Sequence, residues 1–545
     1  MCVPFSSCTK YNIAICLYRY DKKWCQIKSN KMKTSRIVFL LLLFITGCKE
    51  NSINEPSNGA NEKSIKILYT NDEHGWMDAN STTGGAAGLM NLWKQNEGYT
   101  SAGSYLILSG GDMWTGPAIS TWFEGKSMTQ VMNLMHYSAA VIGNHEFDFG
   151  LDKLLERKNE SDFPFLSANI KNKTTGGYPD FCQPFVIKTV NGIKVGIIGL
   201  TSVTVPGIIF PKYLVNLNFI SYEQALNEVV PQVKQQGAKI IVIISHMGSG
   251  EMRTLTSTAK RYGIKLIAGG HSHESIIDQL NGVTIIESGS RLAGYTSVSL
   301  NYDTVLDSLM SITAVQKNNT GGSPDTEIQA VVNYWKGETD LALSGIIGYV
   351  NNEIGQNTDK MYNLITDSWL YNFPYADIAI SNRGGVRQPL PAGNISLSSI
   401  VGIMPFENEV VELELTGAQV IAVVNSIKSA SFFGGINTTN GYKLKNGNAI
   451  NPNATYKALT TDYYYSIVSI LQQYDATPTY TYINWRQPVI NYIQYLNTTQ
   501  ANPLDNYLDG TARQGSYIKL VYKPAINTYS EKIINYYGRS QYQVW

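Results

Sequence analysis

Histidine is scarce in this chain, because the 545 residues include only six. Charge is sparse and balanced as well, since 43 Lys and Arg face 42 Asp and Glu and leave a formal net charge of +1. Without a basic excess, the chain lacks the electrostatic signature of a protein that binds a nucleic-acid polymer, and we expect no such partner. A hydrophobic content of 43% excludes a wholly disordered chain and predicts folded domains with substantial cores.

Cysteine is too rare and too unevenly placed to form a disulfide framework. Four of the six cysteines precede Met32, where a basic segment opens a pattern typical of a signal peptide. We interpret residues 1–31 as sequence upstream of the true start. The mature chain would keep only Cys48 and Cys182, which predicts no intrachain disulfide and a fold stabilised by packing alone.

The N-terminal apolar run, residues 37–45, is shorter than the about 20 residues that a membrane-spanning helix needs. It ends in Ile-Thr-Gly-Cys at 45–48, which resembles a bacterial lipobox, and the alternative is an ordinary signal peptide with a chance cysteine. We therefore expect residues 1–48 to be an upstream segment and lipoprotein signal peptide, and residues 49–63 to be a flexible tether. A lipid on Cys48 would be the only membrane attachment and would place the protein in the bacterial cell envelope, outside the cytoplasm, in the periplasm or on the cell surface.

Short apolar runs alternate with stretches of helical spacing over residues 64–316. The runs are rich in Ile and Val and bounded by turn residues, which predicts buried strands at 65–69, 105–108, 139–142, 195–200, 239–244, 264–268 and 283–286. Strands that alternate with helices predict an α/β domain. We expect a linker and connecting helix over 317–344, and a second domain over 345–545, which contains no histidine and is rich in Tyr and Asn.

Five of the six histidines lie in or next to the polar segments that follow these strands. The segments read Thr-Asn-Asp-Glu-His-Gly at 70–75, Ser-Gly-Gly-Asp at 109–112, Gly-Asn-His-Glu-Phe-Asp at 143–148, Ser-His-Met-Gly at 245–248 and Gly-Gly-His-Ser-His at 269–273. Each motif alone is more often a turn or a surface pair, but parallel strands would bring all of them to one sheet edge, where ligands bind in α/β folds. Only His136 falls outside this set, and we expect it at the surface or at a helix end.

The residue types in these segments indicate metal ions. Imidazole nitrogen with carboxylate and amide oxygen, and no thiolate, suits divalent Zn, Mn, Fe or Co. Six or seven candidate ligands are too many for one tetrahedral ion and suit two. Two ions about 3.5–4 Å apart can hold a bridging hydroxide and clamp a phosphate group. The sequence therefore predicts a site for two divalent ions, with Zn or Mn as the first choices.

The order of the five motifs resembles that of the calcineurin-like metallophosphoesterases and, more closely, their bacterial and cell-surface 5′-nucleotidase family. Residues 121–150 and 164–170 strengthen the closer resemblance, which is strong over 64–310 and looser over 340–545. It implies an N-terminal four-layer α/β/β/α metallophosphoesterase domain and a C-terminal α/β 5′-nucleotidase-type substrate domain. We expect a monomer.

The resemblance also implies roles for individual residues. One ion would be held by Asp72, His74, Asp112 and His273, and the other by Asp112, Asn144, His246 and His271. His145 would be catalytic, with Asp148 orienting its imidazolium so that it neutralises charge on the phosphoryl oxygens. The alternative for Asp148 is a helix N-cap.

The second domain would supply the substrate pocket. Residues 381–387 (Ser-Asn-Arg-Gly-Gly-Val-Arg) match the family's Asn-Gly-Gly-Gly-Ile-Arg motif, which implies substrate binding by Asn382 and Arg387, and the alternative is an ordinary Gly-Gly turn. Phe406 and Tyr463 would sandwich a nucleobase. Two features of the family are missing here, a Gly-Gly-Asp-Gly loop after Tyr463 and a phosphate-binding arginine, which Lys360 could replace only in part.

These observations predict a lipid-anchored, two-metal hydrolase of extracytoplasmic nucleotides or related small phosphoesters. Its activity would be that of a 5′-nucleotidase or 2′,3′-cyclic phosphodiesterase in nucleotide catabolism, with a metal-bridging hydroxide as the attacking group. Two alternatives stay open because of the departures in the second domain. The chain could hydrolyse a non-nucleotide phosphoester, or it could be a non-catalytic binding lipoprotein on the same scaffold.

Overall fold

The computed structural model describes residues 61–439 and 441–514, which form two lobes joined through a long helix. The predictions for the signal peptide, the lipobox and most of the tether lie outside these residues. The first strand begins at Glu62, so the last two residues of the predicted tether already belong to the first lobe. Within the described ranges, no helix has both the length and the apolar character that a membrane crossing requires.

The first lobe alternates strands and helices, as the apolar runs predicted. Its strands are Glu62–Thr70 (β1), Tyr105–Ser109 (β2), Ala139–Val141 (β3), Phe165–Leu166 (β4), Ile170–Asn172 (β5), Phe185–Val190 (β6), Ile193–Thr201 (β7), Leu217–Phe219 (β8), Ile240–His246 (β9), Leu266–Ala268 (β10), Ser275–Leu280 (β11), Val283–Ser288 (β12), Gly294–Asp303 (β13) and Ser308–Asn318 (β14). Its helices are Gly85–Glu97 (α1), Ala118–Thr121 (α2), Lys126–Leu134 (α3), Leu151–Glu160 (α4), Tyr222–Gln235 (α5), Ser249–Arg261 (α6) and Thr326–Leu343 (α7).

Two six-stranded sheets form the centre of this lobe. One has the strand order β14-β13-β1-β2-β3-β4 and the other β11-β12-β10-β9-β7-β6. The central strands of both sheets are parallel, and the antiparallel strands β13, β14, β6 and β11 occupy the outer positions. Parallel central strands need cover on both faces, which explains their nearly continuous Ile and Val runs.

Three apolar cores separate four layers. Ile67 and Val195 lie in the core between the two sheets, Trp93 in the core beneath α1, α3 and α4, and Leu226 in the core beneath α5 and α6. The order is therefore helix, sheet, sheet, helix, as expected for the first domain. Helix α7 begins after Asp325, whose carboxylate accepts the N–H of Ile328, and it packs into the core beneath α1 rather than standing free between the lobes.

The second lobe is a smaller α/β unit. Its strands are Ile346–Val350 (β15), Ile378–Asn382 (β16), Gly393–Ser396 (β17), Glu409–Thr416 (β18), Ser431–Gly434 (β19), Ile436–Asn437 (β20), Lys443–Leu444 (β21), Thr455–Thr461 (β22) and Thr479–Asn484 (β23). Its helices are Asp359–Asn372 (α8), Leu397–Ile403 (α9), Gly417–Ile427 (α10), Asp462–Ile467 (α11), Ser469–Tyr474 (α12) and Gln487–Leu496 (α13).

A five-stranded sheet of order β19-β16-β22-β18-β23 divides this lobe into two cores. Helices α8 and α13 cover one face around Trp369, and α10, α11 and α12 cover the other around Val423. Ala118, Leu343 and Val401 form a small apolar contact between the lobes.

A candidate metal centre between the lobes

The loops that follow β1, β2, β3, β9 and β10 meet at one end of the first lobe. Strands β1, β2 and β3 are neighbours in one sheet, and β9 and β10 are neighbours in the sheet that faces it. All five strands point their carboxyl ends toward the same place, so residues almost 200 positions apart come into contact. His74 and His273, for example, approach to 3.0 Å between their Nε2 atoms.

Asp72, His74 and His273 form one group of potential ligands, whose ligand atoms all lie within 4.8 Å of one another. Asp72 Oδ1 lies 3.3 Å from His273 Nε2 and 3.8 Å from His74 Nε2. Asp72 and His74 are buried, while the His273 side chain is 26% exposed. The three side chains thus converge at the inner end of an accessible site.

Asp112, His246 and His271 form a second group of the same size. Asp112 Oδ2 lies 3.1 Å from His246 Nε2, and His271 Nδ1 and Asn144 Oδ1 lie 3.2 Å and 3.1 Å from the same nitrogen. Asp112 also groups with His74, a member of the first set. The structure therefore brings all seven predicted ligands together, with Asp112 between the two groups.

The chemistry of these donors fits metal ions. The Nδ1 atoms of His74 and His246 lie 3.0 Å and 2.8 Å from the backbone carbonyls of Thr115 and Gly110. A carbonyl only accepts hydrogen bonds, so in the neutral rings Nδ1 carries the proton and Nε2 directs its lone pair into the cluster. Lone pairs of nitrogen and oxygen then face one another at about 3 Å, and a cation between them turns this repulsion into coordination.

Five of the seven ligands adopt a left-handed backbone that is rare outside glycine. Their φ angles are 51° at Asp72, 47° at His74, 57° at Asp112, 72° at His271 and 57° at His273. Each such residue costs about 1–2 kcal/mol relative to an ordinary conformation. Strained backbone at this density is typical of a functional site whose surroundings hold it in place.

Buried Glu146 fixes two of the ligand loops, a role that sequence reasoning missed. Its carboxylate accepts the backbone N–H groups of Asp112, Met113 and Gly143 at 3.0, 2.7 and 2.6 Å. Burial raises the pKa of Glu146 to about 7, and the charge of Asp112 acts in the same direction. Its position directly after His145 is the one signal in the sequence that could have suggested this role.

Two further buried carboxyl groups hold neighbouring loops. Glu73 accepts the hydroxyls of Thr70 and Ser109 at 2.5 and 2.9 Å, and burial raises its pKa to about 8. Glu287 accepts the Ser272 hydroxyl at 2.6 Å, and burial together with the charge of Asp72 raises its pKa to about 9. Glu287 lies in a strand far from any motif, so nothing in the sequence pointed to it.

His145 and Asp148 form a dyad beside the cluster. His145 Nδ1 lies 2.7 Å from Asp148 Oδ2, and His145 Nε2 lies 4.0 Å from Asp112 Oδ2. Burial works against a charged His145, but Asp148 and Asp112 outweigh it and raise the pKa of the imidazole. The N-cap position of α4 is occupied by Gly150, so Asp148 does not cap that helix.

All four predicted substrate-binding residues line one cavity together with Asp112, Asn144, His271 and His273 of the candidate metal site. The cavity lies between the lobes and measures about 1010 Å³, including the space open to solvent. Arg387 reaches from the second lobe to within 3.4 Å of His74 Nε2. The Phe406 ring lies over His145 with centroids 5.8 Å apart and planes inclined by 22°. Asn382 contributes a buried amide oxygen that has no hydrogen-bond partner among the described residues.

Phe406 and Tyr463 both line the cavity, and each also contacts an aromatic ring of the first lobe. Phe406 stacks on His145, whereas Tyr463 packs edge-on against Phe210 of the first lobe, with centroids 6.2 Å apart. Lys360 does not line the cavity, and its exposed side chain lies near Gly510. The missing arginine is therefore not replaced from that position.

Two family descriptions match the chain, one for each lobe. Residues 65–275 match the calcineurin-like phosphoesterases, and residues 346–467 match the 5′-nucleotidase C-terminal domain. The chain belongs to the calcineurin-like phosphoesterases that carry a 5′-nucleotidase C-terminal domain. This family assignment puts it among the phosphoric ester hydrolases and confirms the expected family and fold class.

Several known proteins are similar to this one over most of its length. The 5′-nucleotidase of Vibrio parahaemolyticus is 26% identical over 445 residues, which are 71% of this chain and 78% of that protein. Endonuclease YhcR of Bacillus subtilis is 26% identical over 72% of this chain, but the match spans only 36% of YhcR. The crystal structure of a 5′-nucleotidase precursor from Thermus thermophilus superposes with a TM-score of 0.72 at 19% identity, over 83% of this chain and 99% of that structure. The structural likeness supports the fold assignment.

Proposed function

We propose that this protein hydrolyses extracytoplasmic nucleotides or related small phosphoesters at a two-metal centre. The observation that carries the proposal is the convergence of seven candidate ligand side chains, four of which line a cavity that also contains a His-Asp dyad and an arginine from the other lobe. The predicted signal sequence at residues 32–48 supports a location outside the cytoplasm, with attachment through a lipid on Cys48.

The first ion would be held by Asp72, His74, Asp112 and His273, and the second by Asp112, Asn144, His246 and His271. Zn and Mn suit these nitrogen and oxygen donors. Two such ions supply a nucleophile derived from water and neutralise charge on the phosphoryl oxygens. The backbone carbonyls of Thr115 and Gly110 accept hydrogen bonds from His74 Nδ1 and His246 Nδ1 and so orient the two imidazoles toward the ion positions.

His145 and Arg387 act on the phosphoryl group from two sides. With Nδ1 held by Asp148, His145 turns Nε2 toward the cluster and can donate a proton or a hydrogen bond to a phosphoryl or leaving-group oxygen. The Arg387 guanidinium can grip two anionic oxygens at once. In the reaction a water oxygen bonds to phosphorus, the P–O bond to the leaving group breaks, and the leaving oxygen takes up a proton.

The test combines metal analysis with a substrate panel of p-nitrophenyl phosphate, AMP, a nucleoside 2′,3′-cyclic phosphate and a UDP-sugar. We expect about two divalent ions per chain in the wild type. We expect Asp112→Asn to lose metal and turnover, and His145→Ala to keep metal but lose turnover by about 100-fold or more. His136→Ala, at an exposed histidine outside the site, is the matched control and should resemble the wild type in both respects.

Unchanged turnover in Asp112→Asn or His145→Ala would contradict the assigned roles. Metal binding without hydrolysis of any phosphoester would favour the binding-protein alternative. Hydrolysis of p-nitrophenyl phosphate, but of no nucleotide in the panel, would favour a non-nucleotide substrate. This alternative is tested because Lys360 lies outside the cavity and does not replace the missing arginine.

A further inference from the structure

A segment of the first lobe, residues 205–214, forms part of the cavity wall. The segment follows β7 and contains two short turns, Val205–Gly207 and Pro211–Tyr213. Ile208, Phe210 and Lys212 are among its residues that line the cavity. Neither the metal ligands nor the His145–Asp148 dyad lies in this segment.

The 205–214 segment makes specific contacts with Tyr463 of the second lobe. The Tyr463 hydroxyl donates a hydrogen bond to the backbone carbonyl of Ile208 at 2.8 Å. The rings of Tyr463 and Phe210 meet at 63° with centroids 6.2 Å apart. Phe406 lines the same cavity and lies over His145. Phe210 therefore adds aromatic surface next to Tyr463.

Lys212 gives the same surface a positive charge, which acts on Asp462 of the second lobe and partly offsets the burial that raises the pKa of that carboxyl. The Lys212 ammonium lies over the Phe210 ring, 4.1 Å from the centroid, and 5.2 Å from the centroid of Tyr213. Lys212 forms no ion pair with any residue of the described part of the chain. Lys212 from the first lobe and Arg387 from the second lobe both line the cavity, whereas Lys360 does not.

We propose that residues 205–214 select the leaving group of the substrate. Phe210, with Tyr463, contacts a flat ring in the leaving group, and Lys212 pairs with an anionic group attached to it. The preferred substrates are then nucleotides whose leaving group is itself a phosphate ester, such as nucleoside diphosphates, over nucleoside monophosphates, whose leaving group is neutral. This inference rests on the hydrolase function proposed above, since it assigns specificity to the same site.

The chemistry of the preferred reaction balances with water alone. The terminal phosphorus of ADP gains an oxygen from water, the P–O bond to the bridging oxygen breaks, and AMP leaves with that oxygen. The leaving AMP carries a negative charge that the nucleoside released from AMP would lack. An ammonium group at the leaving-group side of the cavity therefore distinguishes the two substrates.

The test compares kcat/KM for ADP and AMP in the wild type and in Lys212→Met, with Lys212→Arg as the charge-conserving variant. We expect Lys212→Met to lower kcat/KM for ADP by about fivefold and to leave that for AMP within about twofold, because an accessible ion pair contributes at most about 1 kcal/mol. Lys212→Arg should restore the wild-type ratio. Lys234→Met, at an exposed lysine on α5, is the matched control and should change neither value.

A second variant tests the aromatic contact. Phe210→Leu keeps apolar volume but removes the ring, and we expect it to lower kcat/KM for both nucleotides by about three- to tenfold. Turnover of glycerol 1-phosphate, which has no ring, should stay within about twofold of the wild type. Thermal melting should remain near the wild-type value, because Phe210 is only partly buried.

The outcomes separate this inference from the function on which it rests. A wild type that hydrolyses phosphoesters, combined with an unchanged ADP-to-AMP ratio in Lys212→Met, overturns the selection of the leaving group and leaves the function intact. Equal losses for glycerol 1-phosphate and nucleotides in Phe210→Leu overturn the ring contact. A wild type that hydrolyses no phosphoester overturns the proposed function, and this inference with it.

Discussion

Five residues of the candidate metal site have a left-handed backbone conformation that lowers the stability of the folded chain. They are Asp72, His74, Asp112, His271 and His273. At each position the side chain reaches the cluster because the chain turns sharply after a strand. The conformation costs about 1–2 kcal/mol per residue, which the surrounding structure has to offset. Relaxing one of these residues should therefore stabilise the metal-free protein and weaken metal binding.

His273→Asn tests this expectation, because asparagine adopts the left-handed conformation more readily than histidine does. The change also removes the Nε2 atom that lies 3.0 Å from His74 Nε2. We expect the free energy of unfolding of the metal-free protein to rise by about 0.5–1 kcal/mol in urea titrations. We expect the bound metal per chain, measured by mass spectrometry of the metal content, to fall.

His136→Asn is the matched control, since His136 has a φ of 58° but is exposed and lies outside the cluster. It should gain similar backbone stability and keep the full metal content. A His273→Asn variant that retains wild-type metal content, or that is less stable than the metal-free wild type, would contradict the argument.

At the scale of elements, Glu97 joins the end of α1 to three strands. Its carboxylate accepts from Lys66 of β1 at 2.7 Å and from Lys317 of β14 at 2.5 Å. The hydroxyls of Tyr295 and Ser297 on β13 donate to it at 3.0 and 2.9 Å. The Glu97 side chain is only 2% exposed, so this charge depends on its partners rather than on water.

Glu97→Gln should destabilise the protein in a pH-dependent manner. Burial alone would raise the pKa of Glu97, but the hydrogen bonds from Lys317 and Lys66 outweigh it and lower the pKa to about 2. A lowered pKa contributes stability that is fully present above the unfolded value near 4.5 and is lost as the pH falls through about 2. We expect Glu97→Gln to cost about 2–3 kcal/mol at pH 7 and progressively less as the pH falls below 4.5, measured by urea unfolding.

The control for this prediction is Glu223→Gln. Glu223 pairs with Arg261, but both side chains are about 60% exposed, so the pair is screened by water. We expect a change below about 0.5 kcal/mol at any pH. A cost for Glu97→Gln that does not vary between pH 7 and pH 3 would show that packing, and not the buried charge, makes the difference.

The elements that were predictable from the sequence are those with local signals. The apolar run at 239–244 corresponds to β9, and the helical spacing at 222–235 corresponds to α5. Both were predictable because the spacing of apolar residues differs between a buried strand and an amphipathic helix. The ligand loops were predictable as well, because each of them begins where a predicted strand ends. The 205–214 segment has no period, and its place depends on contacts with Tyr463 in the other lobe, so no local pattern could reveal it.

At the scale of the whole molecule, the cavity depends on contacts that hold two separately packed lobes together. One contact is apolar, between Ala118, Leu343 and Val401. Others are polar, including the hydrogen bond from Arg291 to the Arg387 carbonyl at 3.2 Å. Contacts of this kind between domains allow relative motion, so single hydrogen bonds can shift the balance between closed and open arrangements.

Tyr463→Phe removes one such hydrogen bond, from the tyrosine hydroxyl to the Ile208 carbonyl, and leaves the ring in place. Since a hydrogen bond of this kind contributes about 1 kcal/mol, we expect the closed-to-open ratio to fall about fivefold and the radius of gyration from small-angle X-ray scattering to increase. Tyr465→Phe is the matched control, because the Tyr465 hydroxyl donates to the Asp475 carbonyl within the second lobe at 2.9 Å. It should leave the radius unchanged. Equal radii for wild type, Tyr463→Phe and Tyr465→Phe would mean that the other contacts between the lobes suffice to keep the cavity closed.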